Sequence, residues 1–193
     1  MRIANPKDKE LVAEILTSAF ESSKEDSSIN FTVKQDERRV ERIKILMEYL
    51  FERAMLFGEV FISDNEKACL LVKYTHLEKT TLKTIKLDIK LAFKCIGIER
   101  VYKVLKRQQI VKKNYPKEKH IRPVILGVKK EINGKGTAAR LMIKLKHRFK
   151  DNKLPVILDA ASEKNVKLYQ KFGFRIVKKE DSFGFPMWFL RLN

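Results

Sequence analysis

Residues 121–142, IRPVILGVKKEINGKGTAARLM, constrain the fold more than any other stretch. Ile121, Val124, Ile125, Leu126 and Val128 are the β-branched and aliphatic side chains of a mostly buried strand. Residues 129–133 carry no apolar period and leave that strand. Gly134 and Gly136 flank Lys135. From Thr137 onward, Ala138, Leu141, Met142, Leu145 and Phe149 fall at helical spacing on one face, and Arg140, Lys144, His147 and Arg148 take much of the other. A strand, a glycine turn and an amphipathic helix in succession call for an α/β packing.

The junction is suited to an anion. The first turn of a helix has N–H groups without an intrahelical partner, and their dipoles sum to roughly +0.5 charge. Glycines ahead of that turn admit a phosphate without Cβ obstruction and permit positive φ. The plainer alternative is a helix start with two glycines and no ligand. Two phosphate motifs can be tested. A Walker A loop fails, because Lys135 is followed by Gly136 and Lys129 stands five residues before Gly134. The dinucleotide fingerprint is nearly met by residues 134–139, with Asp159 at a later strand end. However, residues 129–133 separate the glycines from the strand, and too few residues follow Asp159 for further βα units.

A third pattern fits better. Asn133-Gly134-Lys135-Gly136-Thr137-Ala138 resembles the (Gln/Arg)-x-x-Gly-x-(Gly/Ala) segment of the GCN5-related N-acetyltransferase (GNAT) superfamily, with Asn133 where Gln or Arg is usual. Downstream, Val156, Ile157, Leu158, Asp159 and Ala160 make a short strand. Residues 162–174 then resemble the family's second cofactor segment, with its LYxKxGF core, through Leu168, Tyr169, Lys171, Gly173 and Phe174, and with Asn165 three positions ahead of Leu168. The two segments span about the last two-fifths of the chain in the family's order.

The resemblance implies a GNAT-like fold: a mixed, mostly antiparallel central sheet with helices on both faces. It implies acetyl-CoA as cosubstrate and transfer to a primary amine. Gly134, Lys135, Gly136, Thr137 and Ala138 would cradle the pyrophosphate, with Asn133 beside them. Leu126, Gly127 and Val128 would pair their backbone with the pantetheine arm, as an added strand does. A backbone N–H near Val128 would polarise the thioester carbonyl. Tyr169 aligns with the family's general acid for the departing thiolate, and Asn165 would tie the second segment to the cofactor. The bland roles are a packed helix aromatic for Tyr169 and a helix-surface or capping residue for Asn165. His120 titrates near neutral pH and begins the strand, so it is the candidate base; its bland role is capping.

The rest of the chain suits one domain, residues 1–193. Asn5 and Pro6 open a helix that ends near Phe20. Residues 21–30 read as a loop and 31–34 as a short extended piece. Residues 36–57 form a second helix, with Gly58 as its C-cap. Residues 59–63 and 67–75 form a hairpin. Residues 81–114 read as a helical insertion broken at Gly97, with Leu82, Ile85, Ile89 and Phe93 on one face and Ile98, Val101, Tyr102 and Leu105 on the next. We expect these helices to lie on the sheet and to shape acceptor choice; a helix-turn-helix is the alternative. The tail reads as strands at 175–179 and 187–192 joined by a turn at 183–186.

Composition narrows the partners. The net charge of +18 favours anions: a cofactor phosphate, nucleic acid or a membrane surface. The lysines are scattered along the chain, which is also what an ordinary solvated surface looks like. The two cysteines, Cys69 and Cys95, have no ligand spacing for a metal, and none is expected. No apolar run approaches spanning length and the N-terminus has no leader pattern, so a cytoplasmic setting without membrane is the expectation. A homodimer is compatible with this reading. The competing functions are a basic nucleic-acid-binding protein and a CoA-binding module without catalysis.

Overall fold

The computed structural model describes every residue except Asp26, Phe183, Gly184 and Asn193. The turn expected over 183–186 thus lies partly outside the described residues. A two-residue strand, β1 (Arg2–Ile3), opens the chain. It is too short to leave a period in the sequence. Asn5 then caps a 3-10 turn, Pro6–Asp8: its side chain accepts from the Lys7 N–H at 2.9 Å, and Asp8 accepts from the Asn5 N–H at 2.8 Å. That turn runs into α1 (Lys9–Phe20).

The extended piece expected over 31–34 begins instead inside a helical turn, α2 (Ser28–Thr32). The Ser27 hydroxyl accepts from the Asn30 N–H at 3.2 Å and starts it. Next come α3 (Arg39–Phe57), β2 (Gly58–Ile62) and β3 (Ala68–Tyr74), the last two forming the expected antiparallel hairpin. Gly58 is the C-cap of α3, as expected, though not in the left-handed conformation common there. Its φ of −171° is extended backbone, and it opens β2. A Cβ there would sit 2.0 Å from the Val72 carbonyl oxygen, so close backbone approach is what demands glycine.

The insertion comprises α4 (Leu82–Leu91), a wide turn (Ala92–Ile96), a break at Gly97 with φ of +84°, a 3-10 turn (Ile98–Arg100) and α5 (Val101–Asn114). The break falls where expected, but the packing does not. These helices do not lie flat on the sheet. Leu91, Cys95, Ile96 and Val104 join the cluster built by α1 and α3, so α4 rides on the outside of α3. The stripe of Leu82, Ile85, Ile89 and Phe93 faces solvent.

The chain ends with β4 (Ile121–Val128), a 3-10 turn (Lys130–Ile132), α6 (Thr137–Arg148), β5 (Val156–Ala160), α7 (Glu163–Lys171), β6 (Arg175–Glu180) and β7 (Met187–Leu192). The strands make one sheet in the order β1-β2-β3-β4-β5-β7-β6. Every neighbouring pair is antiparallel except β4 with β5. Val60, Ile62, Cys69 and Leu71 bury one face against α1 and α3. Phe61, Leu70, Leu158 and Leu190 bury the other against Met142, Leu145 and Val166 of α6 and α7. This is the mixed, mostly antiparallel sheet with helices on both faces that the motifs implied, with β4 at its centre.

Candidate active site

The parallel pair at the centre of the sheet is barely a pair. β4 and β5 match only at Ile121 and Val156, next to a 2.9 Å bond from the Ile121 N–H to the Pro155 carbonyl. Beyond that point the strands part into a fork. Opposite Leu71 and Val72 the β4 register shifts, leaving Val124 as an extra residue beside Pro123, which has no N–H to give. The Lys129 N–H returns to the Lys67 carbonyl at 2.8 Å. Antiparallel alternation then turns the backbone groups of Val128 and Leu126 away from β3 and into the fork. Gly127 faces the other way: a Cβ on it would meet Leu16 Cδ2 at 2.6 Å, so its missing side chain makes room for α1.

The glycine turn lies beyond the open end of β4. Gly134 (φ +81°) and Gly136 (φ +77°) are both left-handed, and a Cβ built on either would meet nothing within 4 Å. Gly136 is the N-cap of α6, and no side chain caps that helix. The first-turn amides of Thr137 and Ala138 therefore point into open space, where an anion would satisfy them. The Lys135 N–H bonds to the Ile132 carbonyl at 3.3 Å, and Asn133 Oδ1 accepts from the Gly134 N–H at 3.0 Å. The Asn133 side chain is thus committed to shaping the turn. Open space, uncapped amides and left-handed glycines fit a diphosphate.

Tyr169 of α7 is largely buried beside Phe174, with ring centroids 5.7 Å apart. Burial, followed by the nearby charge of Asp159, pushes its phenol up to about 12. It therefore holds its proton at neutral pH. Asn165 is exposed on the first turns of the same helix, which starts at Ser162 without a side-chain cap.

Three residues at the fork were not picked out as a group in the sequence. The Arg122 guanidinium donates to Asp159 Oδ1 at 2.9 Å, joining β4 to β5 just past their last paired residues. The Tyr115 hydroxyl donates to the same oxygen, and Arg122 lies 4.3 Å over the Tyr115 ring. One signal was available: an arginine inside the otherwise apolar 121–128 stretch needs an anionic partner when it is half-buried. His120 sits at the closed end of the fork. Its ring stacks on Tyr115 at 5.5 Å, and Nδ1 is 2.8 Å from the Glu118 carbonyl. Burial lowers its pKa, so the ring is neutral, and Nε2 is buried without a hydrogen-bond partner. Among the described residues no cluster of three or more His, Cys, Asp or Glu could hold a metal ion.

The site thus combines a forked sheet, an uncapped, glycine-led helix at its open end and a protonated tyrosine beside the fork. Residues 113–185, which include both strands of the fork and α6 and α7, match the family model described as acetyltransferase (GNAT) domain. A search of curated proteins by sequence found no match. Solved structures match over the whole length. One is the histone acetyltransferase HPA2 and related acetyltransferase of Corynebacterium glutamicum, at 16% identity and a TM-score of 0.69 over 98% of this chain and 93% of that one. Another is the C-terminal condensation domain of Ebony in complex with beta-alanyl-dopamine, at 11% identity and a TM-score of 0.65 over 99% and 96%. A third is Arabidopsis thaliana NAA60 in complex with acetyl-CoA, at 13% identity and a TM-score of 0.50 over 99% and 96%. At such identities the likeness concerns the fold, and the GNAT resemblance read from the motifs holds.

Proposed function

We propose that this protein transfers the acetyl group of acetyl-CoA directly to a primary amine. The observation that carries the reading is the fork itself: β4 keeps two residues' worth of hydrogen-bonding groups, at Leu126 and Val128, with no strand to receive them. An extended amide-bearing arm would complete them as a β-strand does. The backbone from Gly134 to Ala138 would hold the diphosphate at the far end. The Val128 N–H would polarise the thioester carbonyl, stabilising charge that grows as the amine attacks.

Attack forms the new C–N bond, and the C–S bond breaks as the tetrahedral centre collapses. Tyr169, protonated and desolvated, would give its proton to the leaving sulfur. Asp159 already accepts from Tyr115 and Arg122, so its Oδ1 is engaged. It is suited to keeping the Tyr169 phenol protonated. The amine's proton would go to water, since His120 Nε2 is buried at the closed end of the fork and out of reach of solvent.

The test is thiol release from acetyl-CoA across a panel of primary amines, with Tyr169→Phe as the comparison. We expect turnover to fall by about a hundredfold, in line with loss of a general acid, while CoA affinity is retained. Equal losses in both would assign Tyr169 to packing. CoA binding without turnover in the wild type would leave a binding module in place of an enzyme.

A further inference from the structure

The outer surface of α4 and α5 is built unlike the rest of the molecule. Leu82 is 81% exposed, Phe93 62%, Ile98 62% and Tyr102 77%, with Ile85, Ile89 and Leu105 also in solvent. Along α4 the residues Leu82, Ile85 and Ile89 recur at helical spacing, so they form one stripe. The stripe continues to Phe93 before the Gly97 break, and a second begins at Ile98 and runs through Tyr102 and Leu105 after it. The helices hold to the body by other residues: Leu91, Cys95, Ile96 and Val104 are buried. A run of large apolar side chains left this exposed marks a surface meant to be covered.

The charges around it identify the cover. Residues 79–114 contain 11 basic and two acidic residues, and so carry half of the chain's net charge of +18. The two acids are both engaged: Asp88 accepts from the Tyr49 hydroxyl at 2.7 Å, and Glu99 pairs with Lys34 at 2.7 Å. The two arginines turn inward. Arg100 donates to the Phe31 carbonyl at 2.6 Å, and Arg107 is buried and reaches Ser28 Oγ at 3.1 Å. Lysines hold the outside, with Lys86, Lys94, Lys103 and Lys106 exposed beside the stripes, while Lys83 and Lys90 pair with Glu52 and Glu48 of α3 at 3.4 and 3.0 Å.

That combination discriminates between partners. Protein interfaces favour arginine and are depleted in lysine, the reverse of this surface. A second copy would set one lysine row against another. A nucleic acid backbone would meet the lysines but leave the apolar stripes wet. Long apolar side chains flanked by lysines match a helix lying in the headgroup layer of an anionic bilayer. No helix among the described residues is long and apolar enough to cross a membrane, so the contact would be at the surface.

We propose that α4 and α5 form a docking surface for anionic lipid bilayers, with Leu82, Ile85, Ile89, Phe93, Ile98 and Tyr102 entering the interfacial layer and the lysines meeting the headgroups. This docking does not rest on the acetyltransferase reading, because none of these residues belongs to the fork or to the glycine turn.

The experiment is flotation of the full chain with vesicles of phosphatidylcholine alone and with added phosphatidylserine, at low and at physiological salt. The wild type should float with the anionic vesicles and not with the neutral ones. Leu82→Ser and Phe93→Ser should each weaken partitioning by roughly tenfold, the scale expected for one large apolar side chain, while circular dichroism stays unchanged. Both side chains are exposed, so the variants should fold. The proposal is overturned if the variants float like the wild type, since attraction would then be charge alone. It is also overturned if the wild type ignores anionic vesicles, or if sedimentation shows a dimer that the same variants split.

Discussion

Helices α4 and α6 are written in the same style and end in opposite situations. Each carries a row of aliphatic residues at helical spacing, interleaved with lysines. In α6 the row is Leu141, Met142 and Leu145, all buried against the sheet. In α4 the row of Leu82, Ile85 and Ile89 is in water, and the buried positions are Thr84 and Leu91. Their first turns differ too. α4 starts on a closed capping box, in which Thr81 and Thr84 each accept from the other's N–H at 3.2 and 2.9 Å. α6 starts on Gly136 with no side-chain cap. One helix has its amides satisfied and its apolar side free. The other has its apolar side satisfied and its amides free. Spacing shows that a helix is amphipathic; it does not show which face the rest of the chain will cover.

The contrast can be tested position by position. The largest effect is expected for Leu145→Ala in α6, which should cost about 2–5 kcal/mol in urea denaturation because it empties a buried site. A loss comparable to that of a surface mutation would undo the assignment of the buried face. Next is Gly136→Asp, a residue type that tolerates left-handed backbone. It should leave the fold standing and weaken CoA binding by about a hundredfold in calorimetry, because a carboxylate would compete for the amides that the diphosphate needs. Gly136→Asn, without the charge, should lose less. Unchanged affinity in both would remove the anion site from α6. Thr81→Ala in α4 should cost about 1 kcal/mol of stability with no change in CoA affinity, the ordinary price of a lost cap. Smallest is Leu82→Ser, expected to stay within about 0.5 kcal/mol of wild type in denaturation. A loss of several kcal/mol there would mean that the α4 stripe is core after all.

Much of the site could be read before the fold was known, because its pieces are local. A glycine pair ahead of a helix, and a tyrosine nine residues after a strand, are features of neighbouring residues. The backbone turns of Gly134 and Gly136 follow from what glycine allows. The cluster of Tyr115, Arg122 and Asp159 was not legible in that way. It joins the end of α5, β4 and β5, and these approach each other only in the folded sheet. The same holds for Gly58, whose glycine is explained by the Val72 carbonyl across the hairpin and not by the helix it follows.

By itself the sequence determined the longer helices and strands, the break at Gly97 and the motif pair that carries the GNAT resemblance, since each depends on side-chain periodicity or backbone freedom within a few residues. Tertiary structure alone decided where β4 leaves β5, which oxygen Arg122 binds and which side of α4 meets water. Those outcomes depend on contacts between residues far apart in the chain, and no local pattern of hydrophobicity or charge encodes them.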